Sequence, residues 1–142
     1  MTYASQADLV ERFGEPMLVD LTDRASPPAG EIDAAVVTRA LEDTDAAING
    51  YLFGRYKLPL PSTPPALRDI AQAIAIYKLH RDVASEKIRQ DYLDATKTLG
   101  QIASGVVRLD VDGVEPAASD AGGVQFTDRE REMTPDNMKG FI

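Results

Sequence analysis

Pro64-Pro65-Ala66-Leu67-Arg68-Asp69-Ile70-Ala71-Gln72-Ala73-Ile74-Ala75-Ile76-Tyr77-Lys78-Leu79 is the stretch that decides the fold class of this chain. Thr63 followed by two prolines reads as a helix start, because proline lacks an amide donor and its fixed φ suits the first turn. Beyond it Leu67, Ile70, Ala71, Ala73, Ile74, Ala75, Ile76, Tyr77 and Leu79 leave almost no polar face. A helix apolar nearly all round is stable only when other elements surround it. The spacing therefore predicts a helical domain with this segment at its centre.

The neighbouring segments supply the surroundings. Upstream, Asp33 is placed to cap a helix in which Val37, Ala40, Leu41, Thr44, Ala47, Ile48, Tyr51 and Leu52 recur at three- and four-residue steps up to Gly54. Arg39, Glu42, Asp43 and Asp45 fall on the opposite, solvated face. Downstream, Ser85 caps a helix with the narrow stripe Ile88, Tyr92, Ala95, Leu99 and Ile102, which needs one neighbour. Leu58-Pro59-Leu60-Pro61 cannot be helical and reads as a stiff connector. At the start of the chain, Ser5 and Asp8 form a capping-box-like pair before Leu9, Val10 and Phe13, and Gly14 is the stop. Pro16 suits a first turn, so Met17 to Leu21 is expected to add a helical turn or two before the Pro27, Pro28 and Gly30 loop.

After Ser104-Gly105 the pattern changes. Val106 to Val111 reads as a short strand, and 112–123 as a Gly-, Ala-, Pro-, Ser- and Asp-rich linker. Val124-Gln125-Phe126-Thr127 alternates like a strand, Thr134-Pro135 resembles a helix start, and Met133, Met138, Phe141 and Ile142 are apolar groups at the end of a long tether. From Asp110 onward there are eight acidic and three basic residues, so this segment carries the larger share of the net charge of −8. The expected architecture is mainly α: a bundle of about four principal helices over 1–109, with an extended C-terminal arm containing short β segments over 110–142.

Length and composition bound the function. A chain of 142 residues suits one core. The acidic balance repels phosphate backbones and anionic lipid, which disfavours a nucleic-acid reader. With no cysteine there is no disulfide, thiolate metal site or cysteine nucleophile. The first residues lack a basic region followed by an apolar run, and no run approaches the ~20 residues that span a bilayer, so a soluble protein made in the cytoplasm is expected.

Each candidate for chemistry has a structural reading that serves better. His80 is the only histidine and stands at a helix end, where it reads as a boundary residue and not as a zinc ligand or triad member. Asp110-Val111-Asp112-Gly113-Val114-Glu115 misses a ligand position of a calcium loop and closes too early, so a turn at Asp112-Gly113 is the reading. Glu42, Asp43 and Asp45 read as a solvated face, since acid-base work needs carboxylates in a dry cleft. Gly122-Gly123 reads as linker, and Arg129-Glu130-Arg131-Glu132 as an edge segment whose charges discourage stray pairing. Tyr51, Phe53 and Tyr56 are expected to close the end of the bundle by packing on Leu58 and Leu60. Arg55 and Lys57 beside them stay open as a contact patch for another subunit.

Several segments taken together resemble a known family. These are Tyr3 to Gly14, Leu21-Thr22-Asp23-Arg24, Glu31-Ile32-Asp33, the run Gly50-Tyr51-Leu52-Phe53-Gly54-Arg55-Tyr56-Lys57-Leu58-Pro59-Leu60, Pro64-Pro65 and Met138-Lys139-Gly140-Phe141. Over nearly the whole chain they are similar to the small head-to-tail connector proteins of Mu-like phages and prophages. The resemblance implies a neck adaptor: a homo-oligomeric ring, typically of twelve copies, beneath the portal protein, joining the capsid to a stopper or tail-completion protein. It implies a virion location, no catalysis, no cofactor, no membrane, and DNA passing through an acidic lumen without specific binding. The family's ion-binding pattern before Asp33 is replaced here by Ala25-Ser26-Pro27-Pro28-Ala29, so no metal is carried over. The residues expected at the assembly interface are Arg55, Lys57, Phe126, Met133, Met138, Phe141 and Ile142. Two rivals follow from other classes. One is a small helical DNA-packaging or regulatory protein, which needs a basic stripe; the other is a hydrolase using Asp43 or Asp45.

Overall fold

The computed structural model describes residues 2–111 of the chain, and among these there are five helices and no strand. The first two, α1 (Gln6–Phe13) and α2 (Glu15–Thr22), meet at Gly14. The Ser5 hydroxyl and the Asp8 carboxylate cap each other's backbone amides at the start of α1, as the capping-box spacing predicts. Gly14 has φ +88°, a conformation side chains rarely adopt, and it both ends α1 and begins α2. The turn or two expected at Met17 to Leu21 is in fact a full helix that starts at Glu15. Pro16 lies in its first turn, and Leu18 is buried.

Three long helices follow: α3 (Ala34–Leu52), α4 (Pro65–Leu79) and α5 (Glu86–Ser104). The Asp33 side chain accepts the Ala35 amide at 3.0 Å, and Ser85 accepts the Ile88 amide at 3.4 Å, so two of the three starts are capped by the residues whose chemistry predicts it. The third begins at Pro65, with Pro64 and not Thr63 as the capping residue. α4 is the centre, packed against α3, α5 and α1. Leu67, Ile70, Ala71, Ala73, Ile74, Ala75, Ile76 and Leu79 are buried there. Tyr77 is half-buried and stacks on Tyr92 of α5 at a centroid distance of 4.1 Å. Its many alanines let the flanking helices approach closely on the buried side, while Arg68, Asp69 and Lys78 face water.

The α5 stripe does more than the one contact its narrowness implies. Ile88, Ala95, Leu99 and Ile102 are buried, and the helix packs on α3 as well as α4. It lies in the furrow between them, so one stripe serves two partners.

Two buried threonines organise the other side. Thr22 and Thr44 each return their hydroxyl to the carbonyl four residues back, at 2.7 Å. Thr22 Oγ1 also accepts the Asp33 amide at 3.0 Å, which ties the end of α2 to the start of α3. Below this tie the Asp23 carboxylate accepts the amides of Gly30 and Ala29 at 2.8 and 3.1 Å, closing the proline-containing loop on itself. Those bonds favour the charged form and hold the Asp23 carboxyl below its ordinary pKa, the Gly30 amide contributing most.

The expected strand at Val106 to Val111 is not formed. The Val107 amide bonds back to the Gln101 carbonyl and the Leu109 amide to the Tyr56 hydroxyl, so two donors that a strand needs for a partner are already spent on the helical body. The chain is still against that body at Val111, which is buried.

Candidate functional site

The turn after α3 carries the surface features that sequence reasoning singled out, and the structure divides them. Tyr56 and Leu60 are buried and Leu58 packs against the core, as expected. Tyr51 and Phe53 do not close the bundle. Phe53 is 81% exposed and Tyr51 stands out from the helix surface at 39%. Their positions explain this correction: Leu52, one step round the helix from both, occupies the inward direction, so neither ring can turn to the core.

Arg55 follows immediately and takes a fixed course. Its side chain lies across Gly105, the left-handed residue that ends α5, so closely that a Cβ there would stand 2.2 Å from the nearer terminal nitrogen. Only glycine provides both the φ of +85° and the space. The guanidinium thus sits over the C-terminal end of α5, where the helix dipole favours a cation. Its Nε is buried without an acceptor, and among the described residues Arg55 has no carboxylate partner. Lys57 is exposed. Val106, next to Gly105, is 75% exposed. Residues that finish α3 and residues that finish α5 therefore form one rim at one end of the bundle, with Arg55 bridging them. Tyr56 stiffens it from below through its bond with the Leu109 amide, 3.0 Å long.

At the other end, His80 finishes α4. Its Nδ1 lies 2.8 Å from the Ile76 carbonyl, an oxygen that only accepts, so this nitrogen carries the hydrogen and the ring satisfies an orphan carbonyl of the last turn. The boundary reading of His80 holds.

The acidic residues of α3 do not come together. Glu42 and Asp43 are exposed. Asp45, expected on the solvated face, is half-buried and accepts the Tyr3 amide at 3.0 Å, while the Tyr3 hydroxyl donates to Asn49 Oδ1. Burial raises the Asp45 carboxyl above its ordinary pKa, opposed by the Tyr3 amide, and burial with the Asp45 charge raises the Tyr3 phenol. The two tie the chain's start to α3. No sequence signal for this pairing exists, because it joins residues 42 positions apart.

A cleft of about 260 Å³ opens where α1, α4 and α5 meet, with Asp69, Asp91 and Asp94 on its rim. Each carboxylate already has a partner: Arg12 at 2.9 Å, Lys87 at 2.9 Å and Gln90 at 3.0 Å respectively. Among the described residues no three metal-ligating side chains cluster, and no helix is long and apolar enough to cross a membrane. Phe126, Met133, Met138, Phe141 and Ile142 lie outside the described residues, as do the Asp112-Gly113 turn, the Gly122-Gly123 linker and the 124–132 alternation.

Fold and surface together define a small helical protein built round one apolar helix, with a rigid rim of apolar and cationic groups at one end. The sequence comparisons give that class a family. Residues 3–128 match the family described as Bacteriophage Mu, Gp36, and the chain belongs to it. It is 32% identical over 140 residues to the Mu-like prophage FluMu protein gp36 of Haemophilus influenzae, covering 99% of this chain and 98% of that one. It is 30% identical to Gene product J of Escherichia phage Mu over the full length of both. This is therefore a Mu-like phage protein.

Proposed function

We propose that the chain is a structural, non-catalytic head-to-tail connector of a tailed phage. Copies form a ring, twelve on the family resemblance, beneath the portal protein, and present a platform for a stopper or tail-completion protein. The observation that carries this reading is the rim of Phe53, Arg55, Lys57 and Val106: Phe53, Lys57 and Val106 stand exposed around the seated Arg55, and the core does not need them. A ring subunit requires such a surface, because each copy must meet neighbours with groups its own fold leaves uncovered. The net charge of −8 suits a conduit through which DNA slides without adhering. The virion neck is its place in this reading.

Co-expression with the portal protein of the same phage, followed by electron microscopy, tests it. Rings of this subunit on the tail-facing end of the portal are expected, together with filled heads lacking tails when the gene is removed. Absence of the protein from purified virions, or a salt-dependent shift of DNA with no portal binding, would overturn it.

A further inference from the structure

We infer that the rim formed by Phe53, Arg55, Lys57 and Val106 seats residues 124–132 of a second copy of this chain. The inference deepens the connector reading and rests on it. The rim offers two apolar side chains and two cations, and the guanidinium of Arg55, which has no carboxylate partner among the described residues, is a planar fork of donors suited to one. The period-two pattern of 124–132 offers the complement. In an extended chain alternate residues share a side, which groups Val124, Phe126, Asp128, Glu130 and Glu132 on one side, and Gln125, Thr127, Arg129 and Arg131 on the other. The first side runs from apolar to acidic, matching the apolar and cationic groups of the rim.

Length permits the exchange. The residues between Val111 and Val124 span up to about 40 Å when extended, more than the roughly 28 Å length of a helix such as α3 with its 19 residues. That length is enough for the segment to meet a neighbouring copy. A ring of identical copies needs two different, complementary surfaces on each copy, and the rim and this segment are such a pair.

The absence of cysteine makes the test clean. Gly54→Cys places a thiol on the rim where nothing lies within 4 Å of its Cβ. Asp128→Cys in a differently tagged full-length copy places one on the side of the segment that meets the rim while keeping Phe126, Glu130 and Glu132. Mixed and oxidised, the two are expected to give a heterologous disulfide-linked dimer on a non-reducing gel. Arg55→Glu, or Lys57→Glu at an exposed position if the first variant fails to fold, is expected to lower its yield at least fivefold. Glu130→Lys with Glu132→Lys in the partner copy is expected to restore it. No mixed dimer, a yield indifferent to both reversals, or a doubly substituted chain that links only to itself would overturn the inference. Portal binding is read separately: mixed dimers without portal binding would sink the connector reading alone, and portal binding without mixed dimers would sink the rim assignment alone.

Discussion

The connection after α3 and the connection after α4 stand at opposite ends of the same central helix, and each displays an apolar side chain to water, Phe53 in the first and Val83, 94% exposed, in the second. Around Phe53 the chain is pinned at several points: Tyr56 and Leu60 are in the core, Arg55 lies over Gly105, and Leu109 is tied to Tyr56. Around Val83 there is a short turn between a histidine-capped end and a serine-capped start, flanked by exposed Arg81 and Asp82. Exposure alone is common on protein surfaces and carries little meaning. What separates the two ends is the framework beneath the exposed group, because a side chain held in a fixed position loses less freedom when a partner covers it.

Substitutions at the two ends test whether the first is the better anchored. Tyr56→Ala removes a buried ring and should cost about 3–5 kcal/mol in denaturant unfolding; a loss below about 1 kcal/mol would mean that the first connection is no better anchored than the second. Gly105→Ala should cost about 1–2 kcal/mol for the left-handed backbone, and it should also displace Arg55, so rim-dependent assembly falls further than stability explains. His80→Ala loses one bond to a helix carbonyl and should cost about 0.5–1.5 kcal/mol, measured in the same way.

Phe53→Ser and Val83→Ser should each change stability by less than about 0.5 kcal/mol, while only Phe53→Ser reduces association between copies, read by sedimentation; equal loss from both would erase the distinction between the ends. The smallest effect lies in the pH dependence. The folded pKa of Asp23 is below its unfolded value, so its loop bonds stabilise the protein above the ordinary carboxylate range, and that contribution is lost as pH falls through the folded value. Asp45 has the opposite sign: its folded pKa is raised, so its contribution to stability falls as pH rises from the ordinary carboxylate range through the raised value. Unfolding midpoints of Asp23→Asn and Asp45→Asn across the acid range should therefore change slope in opposite directions.

Much of the body was legible because its signals are local. Ser5, Asp33 and Ser85 announce their caps, and the apolar surface of 65–79 announces a central helix whatever surrounds it. The strand expected at Val106 to Val111 failed because backbone donors went to Gln101 and Tyr56, partners that no local pattern names. The ring positions of Tyr51 and Phe53 failed for a related reason: hydrophobicity says that a group gains from burial, not that a neighbour is available to bury it. Within the site, Arg55 and Lys57 were legible as cations beside aromatics, but the seat of Arg55 on Gly105 was not.

From the sequence alone come the helical class, the starts capped by Ser5, Asp33 and Ser85, the identity of the core helix and the acidic charge, since each depends on residues within a turn or two of one another or on composition. The tertiary structure alone decided that α5 lies in a furrow between two helices, that Tyr3 meets Asp45, and that the ends of α3 and α5 share one rim. Those are contacts between residues some 40 to 55 positions apart, and only closure of the chain around α4 brings them into reach.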